Sequence, residues 1–294
     1  MRLDVALIQR HPGLSRRRAR DVIEKGQVTV AGEVVLEAGL DVDEGAAIEW
    51  DPNRKARRRV RSRIPLLFED DRLLVVDKPA GLLTVPSSPD ARDEDTAVNR
   101  VREYVAFLRP RNPYVGLVHR IDRDTSGAVM FALDPDTRHA LIELVSAHRI
   151  DRQYLALVHG APREEKGRID APIHEEYEGG RRRIAARGEP ARDAVTYWKV
   201  RERFGTAAAL VELTLETGRQ HQIRIHLAHV GHPILGDRTY GAERTLSIGV
   251  RIPRQMLHAE VLGFDHPWTD GKVAVRSTMP VDFAVVLRTL RRRI

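Results

Sequence analysis

The chain has 294 residues, with 49 lysines and arginines against 42 aspartates and glutamates, a formal net charge of +7, and no cysteine. The lack of cysteine excludes a disulfide framework, a thiolate zinc site, an iron–sulfur cluster and a cysteine nucleophile; it fits a reducing compartment, so a cytoplasmic protein is expected. The sequence has no run of 18 apolar residues that would span a membrane, and its basic balance favours a polyanionic partner.

The first 51 residues have the pattern of a small α+β domain. Ser15 can cap a helix with its hydroxyl, and Gly26 can end that helix. Ala31 and Gly32 separate two short segments, which is typical of a hairpin. The predicted elements are a helix with Leu3, Ala6 and Leu7 inward, a helix with Ala19, Val22 and Ile23 inward, a hairpin of Gln27–Val30 and Glu33–Leu36, and a closing strand Ile48–Trp50.

A strongly basic segment follows this domain. Residues 51–63 read DPNRKARRRVRSR, in which seven basic side chains accompany one acidic side chain. Because it is polar and has no apolar period, we interpret residues 52–64 as a basic linker. Of the 49 basic residues 43 are arginines, which reflects either an arginine-rich codon usage or the bidentate phosphate contacts that arginine makes.

Residues 65–294 are predicted to form a second α+β domain with a mixed, largely antiparallel sheet. Strands and helices do not alternate regularly, which argues against a doubly wound parallel sheet. Apolar and polar residues alternate over 207–217, as in a half-buried strand. The other predicted elements are a hairpin of Leu66–Glu69 with Arg72–Asp77, helices covering Ala97–Leu108, Ala140–Val145 and Phe283–Leu290, and a buried strand Tyr154–Val158.

A charged segment between two apolar stretches is the first candidate for chemistry. Residues 119–127 read HRIDRDTSG and are flanked by apolar residues 115–118 and 128–133. From its residues alone, this segment either presents charged groups into a cleft or forms a solvated loop in which Asp122 or Asp124 caps a turn.

A second polar segment contains four histidines. Residues 218–233 read GRQHQIRIHLAHVGHP, with His226 and His229 on one face of a predicted helix and His221 before it. A metal site is disfavoured because Arg219 and Arg224 would repel a dication and no carboxylate is interleaved. The segment instead favours a surface for an anion or a nucleic acid.

These segments resemble the motifs of the RluA-type pseudouridine synthases. HRIDRDTSG at 119–127 is similar to the family signature HRLD–x–x–TSG, and VVDKPAGL at 75–82 is similar to the first motif. RQYLALV at 152–158 resembles the tyrosine-bearing strand. The third motif is matched by GRQHQIRIHLAHVGHPILGD at 218–237, and the C-terminal one by LHA at 257–259. Finding these motifs in the family's order is specific, whereas one motif alone would not be.

Residues 2–50 separately resemble an S4 RNA-binding domain. The match is carried by SRRRARDVIEKGQVTV at 15–30. The S4-bearing members of the family mostly modify large-subunit ribosomal RNA, which makes 23S ribosomal RNA the expected substrate. Cations outside the catalytic motifs are expected to contact RNA phosphates: Arg16, Arg17, Arg18, Arg20 and Lys25 in the S4-like domain, and Arg57, Arg58 and Arg59 in the linker.

The resemblance implies that uridine is isomerised to pseudouridine within RNA without a metal or another cofactor. It implies that Asp122 is the catalytic carboxylate, which attacks the sugar, adds to the uracil ring or takes a proton from the sugar. Arg224 would hold Asp122 ionised. Tyr154 would stack on the uracil with its ring, and its hydroxyl would help to remove the C5 proton. Arg120 would enter the RNA stack, and His119 would position the loop, with Thr125, Ser126 and Gly127 shaping the turn behind Asp122.

Two other functions compete with this hypothesis. One is a noncatalytic RNA-binding or ribosome-assembly protein of the same fold, and the other is a metal-dependent hydrolase built on the histidines. The intact set of Asp122, Tyr154 and Arg224 argues against a protein that has lost its activity, because a carboxylate in a cleft is costly to keep. We expect a monomer that binds RNA, with no membrane partner.

Overall fold

The computed structural model describes residues 1–35, 37–43, 45–54, 64–176, 181–241 and 252–293. The chain divides into two compact units, Met1–Ser62 and Arg63–Ile294. The linker cations Arg57, Arg58 and Arg59 lie outside the described residues, so their contact with RNA stays a prediction.

The described residues of the first unit form two helices and a three-stranded antiparallel sheet. The predicted cap at Ser15 is confirmed, since its hydroxyl accepts a hydrogen bond from the backbone N–H of Arg18 at 3.2 Å. The inner faces of the helices pack with the sheet into one apolar core. The elements are α1 (Leu3–Arg10), α2 (Arg16–Glu24), β1 (Val28–Val30), β2 (Glu33–Val34) and β3 (Ile48–Trp50), in the sheet order β2-β1-β3.

The second unit is built on one large sheet with four helices among its described residues. The helices are α3 (Ala97–Leu108), α4 (Pro135–Ser146), α5 (Gln222–His229) and α6 (Val281–Arg293). The strands are β4 (Leu66–Glu69), β5 (Leu73–Lys78), β6 (Gly116–Leu117), β7 (Ser126–Ala132), β8 (Ile150–His159), β9 (Lys166–Asp170), β10 (Ile173–His174), β11 (Ala191–Arg192), β12 (Val195–Phe204), β13 (Ala208–Leu215), β14 (Leu257–Asp265) and β15 (Lys272–Arg276).

The large sheet is mixed and mostly antiparallel, as predicted. Its main order is β4-β5-β7-β14-β8-β13-β12-β9, with β15 paired to β14 and β6 paired to β7, while β10 and β11 form a separate two-stranded sheet. Among the described strand pairs, only β7 and β14 run parallel, with His258 opposite Ser126 and Ala259 opposite Gly127. This parallel pair brings the C-terminal motif beside the end of the charged loop.

At strands β5 and β7, both faces of the large sheet are covered by apolar cores. On β5, Leu74 and Val76 belong to the core that includes α3 and α6, whereas Leu73 and Val75 belong to the core that includes α4. A strand covered on both faces has no polar side, which explains the continuous apolar run of β5. Each such side chain stabilises the fold by about 1.5–3 kcal/mol. This burial fixes β5 and, through their pairing, β7, which begins at the end of the charged loop.

Candidate active site

The loop that carries Asp122 is fastened to its surroundings at several points. His119 accepts a hydrogen bond at Nε2 from the backbone N–H of Met130 at 3.2 Å. The hydroxyl of Thr84 donates to the carbonyl of Ile121 at 2.7 Å. These bonds hold the loop on both sides of Arg120, which leaves that arginine exposed at the rim of the cavity.

The end of the loop differs from the sequence expectation. Ser126 and Gly127 do not lie in a turn, because they are the first residues of β7 and pair with β14. Gly127 has a φ of +118°, and a Cβ at that position would lie 2.1 Å from the carbonyl oxygen of Ala259. Only glycine therefore allows the parallel strands to meet directly behind Asp122.

We expect Gly127→Ala to lower the free energy of unfolding by at least about 2 kcal/mol, because the methyl group would collide with the β14 backbone. Urea denaturation of the full chain measures this change. Gly263→Ala is the matched control on β14, since a Cβ there finds its nearest atoms at 3.7 and 3.8 Å. A Gly127→Ala variant as stable as the control would contradict this account of the glycine.

Asp122 is joined to a buried chain of charges. Nη1 of Arg224 donates a hydrogen bond to Oδ2 of Asp122 at 3.0 Å. The other side of the guanidinium is held by Asp237, with Nε to Oδ2 at 2.7 Å and Nη2 to Oδ1 at 3.0 Å. The carboxylate of Asp237 also accepts the backbone N–H groups of Thr239 and Tyr240, so the fork of Arg224 is fixed before it meets Asp122.

The electrostatics keep Arg224 and Asp237 ionised. Burial acts to lower the pKa of Arg224, but Asp237 and Asp122 outweigh it and hold that pKa above its ordinary value. Burial acts to raise the pKa of Asp237, but the hydrogen bonds from Arg224 hold it below its ordinary value. The guanidinium also lies 5.0 Å from the centre of the Tyr240 ring. A fixed cation therefore faces the carboxylate of Asp122.

Helix α5 sets the position of Arg224, and a glutamine anchors the start of that helix. Gln222 is 2 % exposed, and its amide donates to the carbonyl of Val195 and the hydroxyl of Thr196 at 2.9 and 3.0 Å. Its side-chain oxygen accepts from the hydroxyl of Thr217 at 2.8 Å. These bonds fasten the start of α5 to β12. The position of Arg224 on this helix therefore depends on a buried polar network.

Tyr154 lies on β8 and lines the same cavity as Asp122 and Arg224. Burial raises the pKa of its hydroxyl, so the phenol stays neutral and is a poor base. A neutral aromatic ring in the wall suits stacking on a flat base. The cavity measures about 210 Å³ and its lining includes Val118, His119, Arg120, Ile121, Asp122, Thr125, Arg152, Tyr154, Leu215, Gly218, Arg219, His221, Gln222, Ile223, Arg224 and Leu257.

The histidines near this cavity have separate roles. Burial, helped by Arg152, lowers the pKa of His119 to about 3, so its ring is a neutral acceptor for the loop backbone. Both ring nitrogens of His226 are engaged, by Thr196 and by the carbonyl of Ala171. In the described part of the chain, no group of three or more histidines and carboxylates could hold a metal ion.

The predicted cations of the first unit lie on or next to α2 and are exposed. Four of the five share two carboxylates: Arg16 and Arg20 approach Asp4 at 3.5 and 3.0 Å, and Arg18 and Lys25 approach Asp21 at 3.2 and 2.8 Å. Because the cations outnumber the two carboxylates, the face keeps a positive excess. The buried acceptor, Asp4, was not predicted from the sequence.

Asp237 and Gln222 are site residues that were not predicted from the sequence. Both stand in the segment 218–237 that the resemblance had already marked. An acidic residue at the end of a segment with two arginines was the available signal for Asp237. Nothing in the spacing distinguishes Gln222 from its solvent-exposed neighbour Gln220.

Comparison with known proteins connects this geometry with a family. The family model described as RNA pseudouridylate synthase matches residues 72–229, and the S4 domain model matches residues 1–48. The chain belongs to the RNA pseudouridylate synthase family. The predicted family, enzyme class and S4 domain are therefore confirmed. The first match includes Asp122, Tyr154 and Arg224.

Relatives of this synthase span nearly its whole length. Ribosomal large subunit pseudouridine synthase D of Xanthomonas campestris pv. campestris is 37% identical over 99% of this chain and 89% of the relative. The protein of the same name from Pseudomonas aeruginosa is 34% identical over 99% of this chain and 92% of the relative. The solved structure of human RNA Pseudouridylate Synthase Domain Containing 4 has a TM-score of 0.65 at 27% identity, covering 77% of this chain and 93% of that chain.

Proposed function

We propose that this synthase isomerises specific uridines of large-subunit (23S) ribosomal RNA, with Asp122 as the catalytic carboxylate and with no cofactor. The observation that carries the proposal is the ion pair of Asp122 with Arg224, at 3.0 Å, in a cavity also lined by Tyr154. The names of the full-length relatives support the choice of ribosomal RNA. We also propose the domain boundaries that the sequence predicts. These are an S4 domain over 1–51, a basic linker over 52–64 and a catalytic domain over 65–294.

The target uracil must first leave the stacked bases of the RNA. Extruding a base costs a few kcal/mol, and the exposed Arg120 at the cavity rim can fill the vacated place with its planar guanidinium. The uracil then enters the cavity and stacks on Tyr154, which brings the sugar towards Asp122. Binding thus positions the glycosidic bond beside the carboxylate.

The reaction breaks the C1′–N1 bond, turns the uracil, and joins C5 to C1′. The C5 proton is lost and N1 gains one, so the product has the atoms of the substrate and no redox partner is needed. Asp122 can attack C1′, add to the uracil ring or take a proton from the sugar, and each action requires the ionised carboxylate. The guanidinium of Arg224 faces this carboxylate and orients it through their hydrogen bond.

Release of tritium from C5-labelled RNA tests the function directly. The full chain, with chelator and no added cofactor, should release tritium from a 23S transcript in proportion to a small number of uridines. Transcripts of 16S ribosomal RNA and transfer RNA serve as comparisons. Absence of release from every RNA would refute the synthase activity, and release from the comparison RNAs alone would refute the proposed substrate.

The exposed cations of α2 are expected to bind RNA phosphates. Replacing Arg16, Arg17 and Arg18 by glutamine should weaken binding of the 23S transcript and flatten its salt dependence, by roughly 0.7–0.9 in log–log slope for each lost contact. Titrations at several salt concentrations measure the slope. The exposed Arg201, which pairs with Glu212, offers a control in Arg201→Gln. An unchanged slope in the triple variant would show that the phosphate contacts lie elsewhere.

A further inference from the structure

A second buried arginine lines the cavity and has no part in the steps above. Arg152 stands two residues before Tyr154 on β8, so both side chains point to the same face of the sheet. Arg152 is 5 % exposed. Its Nη2 donates to the backbone carbonyl of Glu216 at 3.3 Å, while its Nε is buried and has no hydrogen-bond partner among the described residues. The residue lines the cavity, and its guanidinium keeps donor capacity that no described residue uses.

The other buried arginines among the described residues of this domain are neutralised. Arg224 is bound by two carboxylates, and Arg254 is bound by Asp282 at 2.7 Å. In the described part of the chain, no carboxylate forms an ion pair with Arg152. A buried guanidinium without an anion is costly, so its retention in a cavity wall indicates that the ligand supplies negative charge there.

Gly218 gives this guanidinium its room. A Cβ on residue 218 would lie 2.7 Å from Nη1 of Arg152, which is closer than non-bonded atoms approach. The glycine that opens the third motif therefore lets Arg152 lie against the backbone that leads into α5. The guanidinium is held from both sides, by Gly218 and by the carbonyl of Glu216, and such fixed donors are effective at stabilising charge.

We propose that Arg152 is a further catalytic residue, which donates hydrogen bonds to a carbonyl oxygen of the extruded uracil and stabilises the negative charge that the ring acquires. When C1′–N1 breaks, its electron pair stays on the uracil and spreads over N1, O2 and O4. That charge is consumed when C5 bonds to C1′, after which C5 loses its proton and N1 gains one. The inference rests on the proposed function, in which Tyr154 stacks on the same ring.

A ring oxygen fits the position of Arg152 better than a phosphate does. The side chain is almost fully buried beside Tyr154, whereas Arg120 lies exposed at the rim. To bring a phosphate to this wall, the RNA backbone itself would have to enter the cavity. The extruded base, in contrast, enters the cavity in the proposed reaction. Contact with the ring also places the donors where charge develops during the reaction, which is where they accelerate it.

Single-turnover measurements on the 23S transcript test the proposal with two variants. Arg152→Lys loses the planar fork, and Gly218→Ala keeps the arginine but pushes its guanidinium aside. Each should slow C1′–N1 cleavage by about 10²–10³-fold, the usual effect of losing one such donor, with the dissociation constant for RNA within about twofold of wild type. The double variant should be no slower than the slower single variant, because both act on one group.

A change of leaving group separates a catalytic role from a structural one. Fluorine at C5 withdraws electrons and stabilises the ring anion by itself, so both variants should lose less cleavage rate on 5-fluorouridine RNA than on uridine RNA. Gln153→Ala is the matched control, because Gln153 is the intervening residue of β8, faces the other side of the sheet and bonds to Asp151. It should cleave within about twofold of wild type.

Three outcomes would overturn the proposal. Variants with the wild-type rate would show that Arg152 does not act on the substrate. An equal loss on uridine and 5-fluorouridine would show a structural role. A weaker dissociation constant with a flatter salt slope would assign Arg152 to a phosphate. In all three cases wild-type tritium release would persist, so the proposed function would stand.

Discussion

Replacing Asp122 by asparagine is expected to slow pseudouridine formation by on the order of 10⁴-fold, because the amide has the shape of the carboxylate but can neither attack nor take a proton at neutral pH. The dissociation constant for the 23S transcript should stay within about twofold of wild type. Single-turnover tritium release gives the rate, and a binding titration of the same RNA gives the affinity.

The fold should tolerate this change. Arg224 keeps its two bonds to Asp237, and the oxygen of an asparagine at 122 can still accept from Nη1. Asp124→Asn is the matched control, since it lies exposed on the same loop and loses the same charge. The control should retain its rate within about tenfold. Comparable losses in the two variants would show that loop charge, and not the carboxylate at 122, governs the reaction.

Asp237→Asn is expected to lower the free energy of unfolding by roughly 3 kcal/mol, because it breaks a buried ion pair and leaves Arg224 poorly compensated. Asp237 is 3 % exposed and accepts four hydrogen bonds. An asparagine oxygen can serve the backbone N–H groups, but its amide would then face Nε of Arg224, donor against donor. Urea denaturation at neutral pH measures the loss.

The pH dependence of stability provides a second measure of the same pair. Because the folded-state pKa of Asp237 lies below its ordinary value, its contribution is complete above the unfolded value of about 3.9 and is lost as the pH falls through the folded value. The unfolding free energies of wild type and Asp237→Asn should therefore converge below about pH 4. A constant gap at every pH would contradict the assigned ionisation.

An exposed ion pair supplies the control for Asp237→Asn. Arg203 donates to Glu165 at 2.6 Å, but the carboxylate side chain of Glu165 is 74% exposed. Glu165→Gln should therefore cost less than about 1 kcal/mol. If it cost as much as Asp237→Asn, burial would not be the source of the effect.

Much of the fold follows from local sequence patterns. The helix Ala97–Leu108 has the predicted bounds, because its apolar residues recur at helical spacing and Thr96 caps its start. The start of β7 was mispredicted, since Ser126 and Gly127 are polar or small and their strand conformation depends on pairing with β14, more than 130 residues away. The residues around 126 and 127 contain no sequence pattern that would predict this distant strand pairing.

The candidate site also contains residues that the sequence predicted and residues that it did not. The motifs identified Asp122, Tyr154 and Arg224, and the structure brings them to one cavity. The groups that hold them, Asp237 and Gln222, act through contacts between side chains on separate elements. A pattern of residue types does not state which acidic residue a given arginine meets, so this supporting layer required coordinates.

The proposed function is that this protein forms pseudouridines in 23S ribosomal RNA with Asp122 as the catalytic carboxylate. Mapping pseudouridines in ribosomal RNA from a strain without the protein tests it most directly. We expect that a small set of 23S pseudouridines disappears, that the wild-type chain restores them, and that Asp122→Asn, present at the same level, does not. An unchanged 23S pattern in the deletion strain, or full restoration by Asp122→Asn, would contradict it.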